Sequence, residues 1–293
     1  MRDILIKAIQ AILKIAGLVS PSLAGRFAFH LFCHPSGRAK ESRCEAKVMA
    51  RAHKGELSVN GKRVTTYQWG DGVRPVLMLH GWESRGSRFA GFVSKLENEG
   101  FSPITFDAPG HGESSGDTTT ILEYQAICQE LARCYGRFNA IIGHSFGVLG
   151  LFQGLRSGVE AGRVVAISGV CDFRYLLDEF CRQLKLPEQV RNNLGVRIEG
   201  LFHPIGGIWQ RFSVTHSAEA IKVPVNVIHD EHDNIVDPEQ ARKIHAAYDG
   251  AELLTTCNLG HRRTLKDRAV IGYVVERIAN DAAQTELADS RTA

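Results

Sequence analysis

The sequence predicts an α/β protein with a mostly parallel central sheet flanked by helices and a small helical cap inserted between strands 6 and 7. Three observations carry that expectation. Short apolar runs alternate with helix-like segments from residue 55 onward, the signature of a parallel sheet covered on both faces. One of those runs, "FNAIIGHS" (138–145), passes straight into a helix through Gly143-His144-Ser145-Phe146-Gly147. Finally, roughly 55 residues separate "RVVAISG" from "VNVIHD", far more than one crossover requires.

Taken in order, "ELSVNGKRVTTYQWG" places Asn60-Gly61 between two alternating runs, a strong two-residue hairpin signal. The runs "PVLMLHG" (75–81), "SPITFD" (102–107), "FNAIIGHS", "RVVAISG" (163–169), "VNVIHD" (225–230) and "AELLTT" (251–256) suit strands buried on both faces. Helices are expected near 87–99, 119–136, 146–157, 238–248 and 264–280. The core therefore comprises 57–170 and 217–280, with the insertion at 171–216 as a lid at the carboxyl end of the strands, where open α/β sheets bind ligands. The polar tail 281–293 is expected to be loose.

The net charge of the 293-residue chain is only +3, but residues 1–56 hold ten Lys or Arg against four Asp or Glu, leaving the remainder near −3. The basic character belongs to an N-terminal arm, so no nucleic-acid groove is expected in the main body. Seven cysteines without a C-x-x-C pair argue against a disulfide framework or a zinc site and suggest free thiols in a reducing, cytoplasmic setting. The opening "MRDILIKAIQAILKIAGLVS" sets Asp3, Lys7, Gln10 and Lys14 on one narrow stripe of a helix ending near Gly17 and Pro21. Its wide apolar face can pack on its own domain, on a partner subunit, or on a membrane surface aided by the basic arm.

Four motifs carry chemistry. "GHSFG" (143–147) matches G-x-S-x-G between strand and helix, with Ser145 as candidate nucleophile on a strained turn and the helix dipole aimed at it. "HGWES" (80–84) follows a strand, so that the backbone N–H groups of Trp82 and Phe146 are candidate oxyanion donors. A serine hydroxyl needs a histidine base, and that histidine needs a carboxylate. "HDEHDNIVD" (229–237) offers Asp230, Glu231, Asp233 and Asp237, of which Asp233 is preferred and Asp172, past the previous strand, is the rival. "NLGHRRTL" (258–265) supplies His261 as the candidate general base. "FDAPGHGESSG" (106–116) reads as structural, with His111 buttressing the nucleophile turn.

Together HGW at 80–82, DAPGHGES at 107–114, GHSFG, D-x-x-V at 233–236 and GH at 260–261 resemble the α/β-hydrolase superfamily over about residues 57–280. The likeness is greatest to bacterial esterase-like members that pair HGW with a GLGHRR-like ending, which Asn258 and Leu259 modify here. The resemblance implies a Ser145–His261–Asp233 triad and a mechanism without metal or cofactor. It does not extend to the arm. The expected activity is hydrolysis of a small-molecule carboxylic ester or thioester, with an acyltransferase as the alternative and a non-catalytic binding module as a remote one. His144, Phe173 and Trp209 are candidate pocket residues, with the apolar cap as a roof. Arg262 and Arg263, like Arg85 and Arg88, can either attract an acidic substrate or simply face solvent.

Overall fold

The computed structural model describes residues 2–292. The arm folds as α1 (Arg2–Val19), α2 (Pro21–Cys33) and α3 (Arg43–Met49). A hairpin follows, β1 (His53–Val59) and β2 (Lys62–Gln68), closed by Asn60 and Gly61 at φ 50° and 75°, the left-handed pair a two-residue turn requires. The alternating core is β3 (Pro75–Leu79), α4 (Ala90–Asn98), β4 (Ser102–Phe106), α5 (Ile121–Tyr135), β5 (Phe138–His144), α6 (Phe146–Arg156) and β6 (Ala161–Ile167). The insertion between β6 and β7, expected as a cap, contains α7 (Phe173–Leu184), α8 (Glu188–Leu201) and α9 (Ile208–Arg211). The chain then completes the core with β7 (Val225–Asp230), α10 (Glu239–Ala247), β8 (Glu252–Thr256), α11 (Gly260–Arg263) and α12 (Arg268–Thr292).

The eight strands form one sheet in the order β1-β2-β4-β3-β5-β6-β7-β8. All pairings from β4 to β8 are parallel, and the hairpin adds an antiparallel edge. Every residue of β3, β4 and β7 is buried, which explains their unbroken apolar runs, whereas edge strand β1 alternates. Successive side chains sort to opposite faces. Leu77 and Leu79 join the core containing α5, α6 and the cap; Val76 and Met78 join the one containing α4 and α12.

Two expectations are refined. The final helix runs on to Thr292, so residues 281–292 are helical where a loose tail was expected. The arm is built into the fold: α2 lies on α8 so closely that a Cβ on Gly25 would come within 2.6 Å of Asn193 Cβ. Leu13 is fully buried, Gln10 donates to the Gln183 carbonyl at 2.8 Å, and Arg197 donates to the Ser22 carbonyl at 3.3 Å. One face of α1 thus packs on its own domain. Leu13→Ala should cost about 2–4 kcal/mol of stability through lost burial and a residual cavity. A urea unfolding midpoint unchanged from wild type would show that the arm contributes nothing to the folded core.

Candidate active site

The loops after β3, β5, β7 and β8 converge at the carboxyl edge of the sheet. Ser145, just after β5, has φ 55° and ψ −122°, a conformation costing a non-glycine residue on the order of 1–3 kcal/mol and persisting only where the surroundings over-determine it. Packing does so from three sides. A Cβ on Gly147 would lie 2.4 Å from the Leu79 carbonyl oxygen, and one on Gly143 2.9 Å from Val148 Cα. A Cβ on Gly81 would lie 2.8 Å from Ser145 Cβ. The two motif glycines and the glycine of the His-Gly pair therefore permit one shared close approach.

His261, at the start of α11, is buried, and its Nδ1 lies 2.8 Å from Asp233 Oδ2. The other carboxylate oxygen accepts the backbone N–H groups of Ile235 (2.9 Å) and Val236 (3.0 Å). Burial alone would raise the Asp233 pKa, but the hydrogen bonds from His229 and His261, the His261 charge and the Val236 N–H hold it below the usual carboxylate range. Asp172 is elsewhere, with Lys243 Nζ 2.6 Å from its Oδ2, so of the two rival acids it is Asp233 that meets His261. Asp230 accepts from Thr256 Oγ1 (2.8 Å), Leu259 N–H (2.9 Å) and His232 N–H (3.0 Å), fixing the loop that presents His261. Among the described residues no hydrogen bond joins Ser145 Oγ to His261, although both face one cavity. Contacts of this kind tighten as substrate binds.

The backbone N–H groups of Trp82 and Phe146 have no acceptor among the described residues, and the two aromatic rings meet edge to face with centroids 6.0 Å apart. Two buried histidines hold this side of the site. His80 Nε2 accepts the Ala108 N–H at 2.9 Å, placing its ring proton on Nδ1, which donates to the Gly81 carbonyl at 2.8 Å. His111 Nε2 accepts the Glu83 N–H at 3.1 Å and its Nδ1 donates to the Pro109 carbonyl at 3.0 Å. His111 thus braces the 81–84 loop, where bracing of the Ser145 turn was expected. The arm reaches the same place: Arg38 donates to the carbonyls of His111, Gly112, Ser114 and Gly116, and Ser36 N–H to Glu83 Oε1 at 2.9 Å.

The shared cavity measures about 670 Å³, within the range of small-molecule sites. Its walls include Ile6 and Ile9 of α1, Phe32 of α2, and Phe173, Leu176 and Phe180 of α7. His144 lines it too and donates Nε2–H to the His261 carbonyl at 3.0 Å. Trp209 does not: it stacks on Phe173 (5.7 Å between centroids) within the cap and donates to Glu199 at 2.5 Å. Its expected pocket role is corrected to cap packing. Arg262, Arg88 and Lys266 line the mouth, Arg263 is tied to the Leu259 and Asn258 carbonyls, and Arg85 is buried in a charge cluster with Glu41 and Asp107. A residue not singled out from the sequence is His229, four positions before Asp233; its Nε2 lies 3.3 Å from Asp233 Oδ2 and 3.0 Å from the Val236 carbonyl.

The sequence profile of the alpha/beta hydrolase family matches residues 76–272. The chain belongs to that family. Among solved structures, this alpha/beta hydrolase is similar to an esterase from Pyrococcus furiosus (TM-score 0.62, 21% identity, 86% of this chain and 98% of that one). It is similar also to an esterase from Exiguobacterium antarcticum (TM-score 0.60, 17% identity, 77% and 99% coverage). A third likeness is to alpha/beta hydrolase domain-containing protein 10 from mouse (TM-score 0.62, 15% identity, 80% and 100%). No curated protein sequence matches this chain.

The buried histidines predict that the fold loses stability in acid. Burial and the neighbouring His261 charge lower the His144 pKa to about 3, and burial lowers those of His80 and His111. A histidine whose folded pKa is depressed leaves the unfolded chain binding more protons below pH ~6.5, so stability is complete above that pH and is lost as pH falls toward the folded value. Urea midpoints should therefore drop between pH 6.5 and 4. In His144→Gln the slope of stability against pH should shrink by up to about 1.4 kcal/mol per pH unit, and an unchanged slope would contradict a neutral buried His144.

Proposed function

We propose that this alpha/beta hydrolase is a serine hydrolase that cleaves carboxylic esters or thioesters with a small to medium hydrophobic acyl group. The observation that carries the reading is the buried Asp233–His261 contact facing the same cavity as the strained Ser145 turn. In this mechanism Ser145 Oγ attacks the substrate carbonyl carbon while His261 Nε2 takes the hydroxyl proton. Asp233 accepts from Nδ1–H, which keeps the ring in the tautomer that can take a proton at Nε2 and stabilises the imidazolium. The backbone N–H groups of Trp82 and Phe146 donate to the oxyanion, each worth on the order of 3 kcal/mol in the transition state. Collapse expels the alcohol or thiol, which leaves with the proton from His261. Water, deprotonated by the same histidine, then attacks the acyl-enzyme and returns Ser145. His144 and His229 act as positioning residues, the first on the His261 backbone and the second on the Asp233 carboxylate.

The acyl group is assigned to the side lined by Phe32, Phe173, Leu176 and Phe180, where apolar walls reward burial at about 25 cal/mol per Å². Turnover of p-nitrophenyl esters should accordingly rise from acetate to medium chain lengths. Asp233→Asn should lower kcat by on the order of 10⁴-fold with KM little changed, because it stabilises the wrong tautomer of His261. A loss of less than tenfold, or a preference for acetate, would contradict the assignment. Consumption of the ester only when an alcohol acceptor is added would turn the reading toward acyl transfer.

A further inference from the structure

The arm has a second face. While Ile6 and Ile9 of α1 turn into the cavity and Leu13 is buried, the opposite side leaves large apolar side chains in the open. Ile12 is 52% exposed, Ile15 64%, Leu18 81% and Val19 81%, and Leu23 of the adjoining α2 is 64% exposed. Ile4 of α1 and Phe27 of α2 are exposed as well. Scattered exposed apolar residues need no explanation, but seven on two touching helices concentrate exposed apolar surface of the kind that marks an interaction site.

Its charge identifies the kind of partner. Residues 4–40 hold five Lys or Arg and no Asp or Glu, and of these Lys7, Lys14 and Arg26 stand exposed among the apolar side chains. An apolar face set among these cations, against which the α1 stripe sets the single acid Asp3, suits the boundary between acyl chains and negatively charged headgroups. A rim richer in cations than in acids suits self-association poorly, because a second copy would bring mostly like charges together. No helix among the described residues is long and apolar enough to cross a bilayer, so the geometry is that of a helix lying in the interface.

We propose that the outer face of α1 and α2 docks the protein on an anionic phospholipid bilayer surface. The docked helix is also a wall of the cavity, so the cavity lies directly behind the membrane-facing surface. Docking itself requires no turnover and is independent of the ester-hydrolase reading.

The test is co-sedimentation of the full chain with vesicles of phosphatidylcholine, with and without phosphatidylglycerol, at low and high salt. Wild type should bind the anionic vesicles, and binding should weaken as salt rises. Ile12→Asp/Ile15→Asp and Lys7→Glu/Lys14→Glu should each bind at least about tenfold more weakly. Both alter exposed positions outside the cavity, so their melting temperatures and their turnover of a soluble ester should match wild type. The Lys7/Lys14 variant, which leaves the apolar face intact, serves if the Asp substitutions disturb α1. Wild type staying in the supernatant with anionic vesicles, or variants binding like wild type, would overturn the proposal. So would a stable dimer by light scattering that the Ile12/Ile15 variant abolishes, with no vesicle binding by either.

Discussion

The constraint on which the rest of the structure depends is the left-handed backbone at Ser145. A serine does not adopt φ 55° without support, and the support is steric: the loop after β3 and the first turn of α6 approach until only glycine fits at positions 81, 143 and 147. The turn that lifts one side chain out of the sheet edge therefore also brings the backbone of Trp82 beside that of Phe146. An unstrained turn would relax both features together. Ser145 presentation and the pair of free N–H groups are two consequences of one piece of packing.

Around that turn the molecule uses buried polar groups as rivets. Asp107 accepts the Gly86 N–H and the Glu113 N–H, both at 2.8 Å, and the Tyr67 hydroxyl at 3.0 Å. His80 and His111 tie the same segment to the 81–84 loop. On the other side Asp230 secures the loop before His261, and His144 holds the backbone of His261 itself. Buried hydrogen bonds of this sort favour one arrangement, because each broken link leaves an uncompensated group in a low-dielectric interior. The arm joins in through Arg38 and Ser36, which gives a segment outside the family match a part in shaping the site.

Much of this was legible in the sequence because the strong signals are local. Asn60-Gly61 dictated a hairpin turn, the unbroken apolar runs dictated central parallel strands, and the order Ser145, Asp233, His261 along the chain fits strand ends that meet at one edge. What stayed hidden depends on long-range packing. Gly81 carries no local mark of the crowding it relieves, His229 lies among competing acids and histidines, and the choice of its own domain as the partner that buries Leu13 is made by long-range contacts no periodicity encodes. Trp209 was misjudged for a related reason: an aromatic residue in a cap can face the cavity or the cap's own core, and composition does not distinguish them. The tail was read as loose from its polarity, yet α12 continues through it.

The most direct test of the account is to locate the adduct formed by a fluorophosphonate probe, using peptide mass spectrometry on wild type and His261→Ala. The account predicts a single phosphonyl group on Ser145 in wild type and a labelling rate lower by on the order of 10³-fold or more in the variant, since the hydroxyl loses its base. Labelling at another residue, or equal rates in the two proteins, would contradict it.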